Sequence, residues 1–478
     1  MTHETDLRRR MTALYVLCAG VLMIVLDTTI VNVALPSIRE DLHFTETSLV
    51  WVMNAYMLPF GGFLLLAGRL GDLYGHRRLF LVGLALFTGA SLACGISTSQ
   101  GMLVGARAVQ GLGGAVVDAV TLSLIVDLFR EPGERAKAMG IYGFVCAAGG
   151  SMGVLLGGML TSVLSWHWVF LVNLPIGVLV YLLSRRLIPD FRGEAIGERL
   201  DVAGAVTVTA SLLLAVYAVV GGNEAGWTST RTVGLLGVAS LLFAIFVAVE
   251  GRVRHPLVPL RLFRLRNLST ANVVGTLWAA AMFAWFFLSA LYLQMVLGYG
   301  ALEVGLAFLP ANLIMAAFSV GLSAKLVARF GLRLPLSTGL LMAAAGLALF
   351  ARAPVEGNFV LDVLPGMILL GIGAGVAFNP VLLAAMGDVT PSESGLASGI
   401  VNTSFMMGGS LGLAVLASLA AARTDDLLDA GAAHALALND GYRLAFAGGA
   451  LFALGAALLG ALLLRTASGS SLPGLQRT

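Results

Sequence analysis

A single carboxylate, Asp27, lies at the centre of an apolar segment that is long enough to cross a lipid bilayer. The segment runs from Leu14 to Leu35 and contains no other charged side chain. A charge at that depth costs roughly 3 kcal/mol on insertion scales, so such a residue generally faces a cavity and has a use. The placement predicts a proton or cation site inside a transport pathway. The alternative is a structural acid that is hydrogen-bonded to Thr28 or Asn32.

One helical face of the apolar segment 101–127 carries three polar residues, Arg107, Gln110 and Asp118, together with Gly111 and Gly114. A guanidinium stays charged, so Arg107 must meet water, a carbonyl group or an acid, unless it snorkels to the outer surface. Arg107 and Asp118 lie about 16 Å apart along a helix and cannot pair directly. Asp118 therefore needs another partner, a water-filled cavity or a proton. The alternative is a neutral acid that is satisfied by Thr121 or a nearby carbonyl group.

The composition indicates a polytopic membrane protein. Hydrophobic residues make up 58% of the 478 residues and charged residues only 12%, whereas soluble domains carry about 25% charged residues. The three cysteines lie in apolar spans, so we predict neither a disulfide framework nor a metal site. No phosphate-binding Walker loop is present, which disfavours ATP-driven transport and leaves an ion gradient as the energy source. We predict no cofactor and no nucleic-acid partner.

Two short segments match the string of a hydrolase nucleophile elbow, Gly149 to Gly153 and Gly408 to Gly412. That elbow requires a strand followed by a helix, whereas both segments lie inside glycine-rich helical spans. None of the six histidines lies in mid-membrane to act as a base. We therefore do not predict an enzyme.

Hydropathy predicts fourteen membrane spans. They are 13–35, 49–68, 79–97, 101–127, 138–160, 167–187, 202–221, 231–250, 271–294, 302–324, 334–351, 360–385, 395–421 and 442–464. With both termini cytoplasmic, only five arginines fall in external loops, at positions 39, 231, 352, 423 and 443. Most of the other basic residues fall in cytoplasmic segments, as the positive-inside rule requires.

Two charged cytoplasmic connections, Ser184 to Asp201 and Gly251 to Asn267, bracket a hairpin of two spans. Six spans precede the hairpin and six follow it, which is typical of two repeated halves that hold a substrate near the midplane. We predict an all-α protein with a six-helix bundle at 1–190, an inserted two-helix hairpin with its linkers at 191–266, and a second six-helix bundle with a short tail at 267–478.

The chain resembles the major facilitator superfamily, and in particular its fourteen-span drug:proton antiporter family. Leu26 to Pro36 is similar to that family's first-span signature, and Gly68 to Arg78 is similar to the superfamily's cytoplasmic loop motif. Arg107 to Gly111 looks like the fourth-span motif that is associated with proton coupling. Gly149, Gly153, Gly157 and Gly158 resemble the fifth-span antiporter motif, with Val154 where the family usually has proline. Ser165 to Gly177 and Leu291 to Pro310 look characteristic of the fourteen-span branch.

The resemblance implies export of amphipathic drugs or natural products in exchange for protons, from the cytoplasmic membrane of a bacterium. A lipid exporter or flippase of the same fold with weak proton coupling is the alternative. Proton coupling is expected to involve Asp27, Asp118 and Arg107, and a cytoplasmic gate to involve Asp72, Arg77 and Asp127. His76 stands where the family usually has arginine, so we expect the gate's charge pairing to fall to Arg77. A monomer is the default expectation.

A substrate pocket is the least determined part of the prediction. Polar and aromatic candidates to line it are Asn32, Gln110, Trp285, Tyr292, Gln294, Phe308, Asn312, Asn379, Asn402 and Phe405. Part of this set is expected to face lipid or the protein core instead. The four fifth-span glycines are expected to serve helix packing.

Overall fold

The computed structural model describes residues 3–129, 131–189, 201–253, 256–387, 389 and 394–464. The described residues form sixteen α-helices. Their bounds are α1 His3–Leu42, α2 Glu46–Tyr74, α3 His76–Gly95, α4 Gln100–Leu128, α5 Pro132–Val163, α6 Trp168–Leu171, α7 Asn173–Leu187, α8 Val202–Ala225, α9 Thr230–Glu250, α10 Arg266–Leu291, α11 Ala301–Ala317, α12 Ser323–Phe330, α13 Arg333–Phe350, α14 Leu364–Met386, α15 Ser394–Asp429 and α16 His434–Leu463. A 3-10 helix at Leu260–Arg264 precedes α10, and π-helical turns occupy Tyr292–Val296, Phe318–Leu322 and Phe359–Val363.

Every predicted span coincides with helical structure. Over the described residues, twelve helical segments are long and apolar enough to cross a bilayer. Two shorter apolar helices, Met152–Val163 and Ala301–Ala317, lie where the fifth and tenth spans were predicted. The all-α membrane fold is therefore confirmed, and the count of fourteen spans stays a prediction.

Local sequence signals set several helix ends. Thr45 caps α2 by accepting from the Ser48 backbone N–H at 3.1 Å, and the Ser48 hydroxyl group accepts from the Thr45 N–H in return. Ser99 caps α4. Gly75 separates α2 from α3 with a φ of 92°, a backbone conformation that favours glycine. This requirement accounts for Gly75 within the loop motif Gly68 to Arg78.

The helices pair in a pattern that repeats. In the first bundle, α1 to α7, α1 packs against α5 and α7, while α4 packs against α2 and α3. In the second bundle, α10 to α16, α10 packs against α15 and α16, while α14 packs against α11 and α13. The pairing of α3 with α7 is likewise matched by that of α13 with α16. Each of these pairings joins the same two span positions in both bundles, so the two halves share one internal arrangement.

The two bundles meet along two seams, α2 against α15 and α5 against α11. The hairpin of α8 and α9 lies beside the first seam, because α8 packs against both α2 and α15. The Ser418 hydroxyl group on α15 donates to the Val219 carbonyl oxygen on α8 at 3.2 Å. Residues 190–200, where the first linker was predicted, lie outside the described residues, and the predicted domain boundaries stay predictions.

Candidate functional site

The Asp27 carboxylate accepts hydrogen bonds from three side chains. Arg107 Nη1 lies 2.5 Å from Asp27 Oδ2, while Gln110 Nε2 and Asn173 Nδ2 lie 2.7 and 2.9 Å from Asp27 Oδ1. All four side chains are buried, with Asp27, Arg107 and Gln110 at 0% exposure. An ionised carboxylate only accepts hydrogen bonds, and these three donors match that capacity. We call Asp27, Arg107, Gln110 and Asn173 the charge cluster.

Arg107 also connects the charge cluster to α2. Its Nε donates to the Val52 carbonyl oxygen at 3.0 Å, and its guanidinium carbon lies 4.3 Å from the centre of the Tyr56 ring. The Phe170 ring lies 5.6 Å from the same carbon. A guanidinium over an aromatic face gains a cation–π attraction that grows where water is excluded. Arg107 therefore belongs to a dry site that is built from α1, α2, α4, α6 and α7.

The observed partners differ from the alternatives that the sequence left open. Thr28 donates to the Val25 carbonyl oxygen, and Asn32 donates to backbone oxygens of Thr28 and Thr29, so neither residue holds the Asp27 carboxylate. Arg107 is fully buried and paired, which contradicts snorkelling to the outer surface. The sequence predicted neither the ion pair nor the hydrogen bond from Asn173 to Asp27. Asn173 lies in the stretch Ser165 to Gly177, and its amide inside an apolar span was the one feature of the sequence that could have indicated this contact.

Asp118 lies on α4, away from this ion pair, and is half-buried. The Tyr142 hydroxyl group on α5 donates to Asp118 Oδ1 over a long 3.4 Å. Thr121, the partner considered from the sequence, donates instead to the Val117 carbonyl oxygen at 2.6 Å. Asp118 is thus a partly exposed acid to which the described residues supply one weak donor.

The predicted gate has a different pairing from the one expected. His76 Nδ1 lies 3.0 Å from Asp127 Oδ2, which joins the start of α3 to the end of α4. Arg77 donates to the Arg185 carbonyl oxygen on α7. The described contact with Asp127 is thus made by His76 and not by Arg77, and the part of Arg77 in the gate's charge pairing stays a prediction. The side chain of Asp72 lies outside the described part of the chain.

The predicted pocket residues do not all come together. Trp285, Phe286 and Phe308 form one aromatic group, with ring centres 5.5–5.7 Å apart across α10 and α11. Gln294 Nε2 donates to the Val33 carbonyl oxygen at 3.1 Å and so joins the two bundles. Tyr292 and Asn379 donate to carbonyl oxygens within the second bundle.

The remaining candidates differ in their surroundings. Asn32 and Asn312 are buried, and each has one polar side-chain atom without a hydrogen-bond partner. Asn402 is half-buried, and Phe405 packs against Phe283 and Phe378. That these four residues line the substrate pocket therefore stays a prediction.

The fifth-span glycines lie against other helices. A Cβ at Gly157 would lie 2.5 Å from the Ile30 carbonyl oxygen, and one at Gly158 would lie 2.6 Å from the Ala301 carbonyl oxygen. Gly149 and Gly153 face α1 in the same way. Glycine is therefore needed for the close approach of α5 to both α1 and α11.

A cavity of about 790 Å³ opens between the bundles where α1 ends and α2 begins. Its wall includes Ser37, Arg39, Glu40, Gln294 and His434. The loops that frame it are all predicted to be external. Among the pocket candidates, only Gln294 lines this cavity.

Comparisons with known proteins agree with this fold. A sequence model of the Major Facilitator Superfamily matches residues 17–413. The puromycin resistance protein pur8 of Streptomyces alboniger is 39% identical over 95% of this chain and 90% of its own length. The cephamycin export protein CmcT of Amycolatopsis lactamdurans is 38% identical over 94% of this chain and 91% of its own length. The tetracenomycin C resistance and export protein of Streptomyces glaucescens is 34% identical over 87% of this chain and 76% of its own length.

Solved structures share the fold at low sequence identity. A bacterial homolog of the human lysosomal transporter Spinster, in an inward-facing and unoccupied conformation, superposes with a TM-score of 0.68 at 17% identity, covering 95% of this chain and 97% of that one. An auto-inhibited peptide transporter of the POT family also gives 0.68, at 16% identity, covering 98% and 99%.

The membrane-spanning helices, the family model and the relatives define a multi-pass membrane transporter rather than an enzyme. The chain belongs to the major facilitator superfamily, as the family model and the relatives above show.

Proposed function

We propose that this transporter exports amphipathic drugs or natural products in exchange for protons, by alternating access. The names of its relatives describe resistance to or export of puromycin, cephamycin and tetracenomycin C. These names favour drug export over the lipid-exporter alternative. The sequence contains no Walker loop, so the energy source that fits is an ion gradient.

The buried Asp27–Arg107 ion pair is the observation that carries proton exchange. Opposite charges in a dry interior attract strongly, and removal of one charge leaves the other without compensation. Proton binding to Asp27 neutralises the carboxylate and weakens its hold on Arg107. Arg107 also bonds α2 through the Val52 carbonyl oxygen, so this change favours a different arrangement of the helices. A conformational equilibrium can shift only by such a difference in interaction energy.

Asp118 and the His76–Asp127 contact have separate roles in this proposal. Asp118 acts as a second acid, which either shares proton transfer with Asp27 or attracts a positive charge on the substrate. The loop that holds Asp72, His76 and Arg77 biases the state that is closed to the cytoplasm, with Asp127 as the partner on α4.

The aromatic group of Trp285, Phe286 and Phe308 supplies an apolar surface for a hydrophobic part of the substrate. The second bundle carries no acid in the middle of a predicted span. We therefore propose that substrates are amphipathic without being restricted to cations.

We propose that the protein is a monomer in the cytoplasmic membrane of a bacterium, with both termini cytoplasmic. The domain boundaries are those predicted from the sequence.

The orientation is tested with single cysteines introduced at 423–443, which should be external, and at 252–266, which should be cytoplasmic. An impermeant thiol reagent is applied to intact cells. Labelling of the second segment but not of the first would refute it.

Transport by the purified protein in proteoliposomes tests the function. The panel is puromycin, cephamycin and tetracenomycin C, with and without an imposed pH gradient. Accumulation that requires the gradient for at least one compound supports proton-coupled export. Movement of phospholipid without drug transport, and without dependence on the gradient, would support the lipid exporter instead.

A further inference from the structure

A buried hydrogen bond joins the two bundles at the α2–α15 seam. Ser410 Oγ on α15 donates to Asn54 Oδ1 on α2 at 2.8 Å. Both side chains have 0% exposure. Alternating access requires the bundles to move against each other, so a dry polar contact between them affects the balance between states.

Asn54 lies on the part of α2 that also contacts the charge cluster. Arg107 bonds the Val52 carbonyl oxygen and lies over the Tyr56 ring. Residues 52 and 56 are one helical turn apart and share a face, whereas residue 54 lies on the opposite face. One short segment of α2 therefore contacts Arg107 on one side and Ser410 of the other bundle on its other side.

The packing around the bond leaves little space for water to replace it. A Cβ at Gly61 would lie 3.0 Å from Met406 Cβ, and one at Gly409 would lie 3.1 Å from Met57 Cε. Asn54 Nδ2 is buried and has no hydrogen-bond partner among the residues that the structure describes. Loss of the Ser410 hydroxyl group would therefore leave Asn54 with no donor for Oδ1, and an unsatisfied buried acceptor is costly.

We propose that Asn54 and Ser410 are positioning residues for coupling, whose hydrogen bond transmits the state of the Asp27–Arg107 pair from α2 to the second bundle. This inference rests on the proposed proton exchange. To that proposal it adds a specific contact between the bundles, through which protonation of Asp27 in the first bundle changes the position of the second bundle.

The direction of the effect follows from linkage. In this structure Arg107 bonds the carboxylate of Asp27, so the Asn54–Ser410 bond stabilises an arrangement that favours the unprotonated acid. Removing the bond weakens that arrangement, and a proton then binds at a higher pH. A buried hydrogen bond changes such an equilibrium by about tenfold, which moves the pH midpoint upward by about one unit.

The test measures opening of the cavity without a substrate. Ser37→Cys places a thiol on the cavity wall, and a water-soluble maleimide labels the full chain in proteoliposomes over a range of pH, with the chain that retains Ser37 as the blank. We expect Ser410→Ala to raise the pH midpoint of the labelling rate by about one unit. Ser410→Thr should restore the wild-type midpoint. Ser410→Cys, with a weaker donor, should give an intermediate shift when its labelling is corrected with a blank that carries Ser410→Cys and retains Ser37, and it serves if the alanine variant does not fold.

Ser418→Ala is the matched control, because it removes another buried serine hydrogen bond from α15, directed to the hairpin instead of α2. An unchanged midpoint in Ser410→Ala and Ser410→Cys, or the same shift in Ser418→Ala, would overturn the inference. A wild-type labelling rate that changes with pH only as the thiolate fraction of the introduced cysteine does would contradict the proposed proton exchange as well. A pH-dependent wild type with an unshifted Ser410→Ala would contradict only the role of this bond.

Discussion

Arg107 Nη1 and Asp27 Oδ2 lie 2.5 Å apart although their residues are 80 positions apart in the chain, and both side chains are fully buried. Because this pair joins α4 to α1 in a dry site, the charge of one partner controls how stably the other can remain there. Removal of one charge should therefore lower stability, and removal of the titratable carboxylate should abolish proton-coupled transport even where the protein still folds.

Replacement of Arg107 alone is expected to destabilise the protein. Arg107→Ala leaves the buried Asp27 carboxylate without its cation, so the free energy of unfolding should fall by about 3–5 kcal/mol. The double variant Asp27→Asn with Arg107→Ala removes both charges and should recover part of that loss. Unfolding of the purified variants in detergent at neutral pH measures the loss in the single variant and the recovery in the double variant.

The control for this prediction is Arg423→Ala, which removes an exposed partner of Asp440. An exposed pair of this kind contributes about 1 kcal/mol or less. An Arg107→Ala variant as stable as Arg423→Ala would contradict the structural importance of the buried pair.

Asp118→Asn separates two roles for the second acid. Loss of export for cationic compounds only assigns Asp118 to substrate recognition, because an amide carries no negative charge. Loss of export for all compounds with an altered pH dependence assigns it to coupling. Efflux assays with paired cationic and neutral compounds measure this, and Tyr142→Phe, which removes the weak donor to Asp118, should have the smaller effect. Wild-type efflux of both kinds of compound by Asp118→Asn would leave a structural role.

The gate prediction concerns the rate of the transport cycle. Asp72→Asn, Arg77→Ala and His76→Gln should lower turnover more than substrate affinity, because the His76–Asp127 contact lies at the end of α4 and remote from the charge cluster. Transport kinetics and equilibrium substrate binding on the same preparations give the two quantities. Arg231→Ala, which removes a hydrogen bond at the far end of the hairpin, is the control. An equal loss of affinity and turnover would count against a gate.

Close packing of α5 against α11 predicts a strong effect at one glycine. A side chain at Gly158 would meet the Ala301 backbone at 2.6 Å, whereas one at Gly150 on the same helix meets no atom within 4 Å. Gly158→Val should therefore reduce the amount of folded protein or its transport, and Gly150→Val should do neither. The test measures the amount of each variant in the membrane and its efflux, with Gly158→Val and Gly150→Val compared in the same experiment. Two variants that behave alike would show that this seam tolerates added volume.

The sequence predicted the helices well because hydropathy is a local property. Each apolar segment, including 202–221 and 231–250 of the hairpin, coincides with a helix. Asp27 and Arg107 were also identified, since a charge inside an apolar span is visible without any structure. Their pairing was not predicted, because the spacing of residues along one helix carries no information about which other helix lies beside it.

The contacts that the sequence did not predict depend on tertiary packing. Asn173 reaches Asp27 from α7, and His76 reaches Asp127 across the loop motif. The sequence assigned the pairing to Arg77 on charge alone, whereas the observed His76–Asp127 contact depends on where α3 starts relative to α4. The pocket candidates separated for a similar reason, since aromatic and amide residues in a span pack against neighbouring helices as readily as they face a cavity.

Proton movement during transport by Asp27→Asn is the most direct test of the account. Purified protein is reconstituted with a pH-sensitive dye inside the vesicles, and the proton flux that follows addition of a transported drug is recorded. Asp41→Asn is the matched control, because Asp41 lies on the same helix and bonds Trp166 outside the charge cluster. The account predicts that wild type and Asp41→Asn move protons with drug, and that Asp27→Asn remains folded in the membrane and moves none. Drug-driven proton flux at the wild-type rate in Asp27→Asn would contradict it.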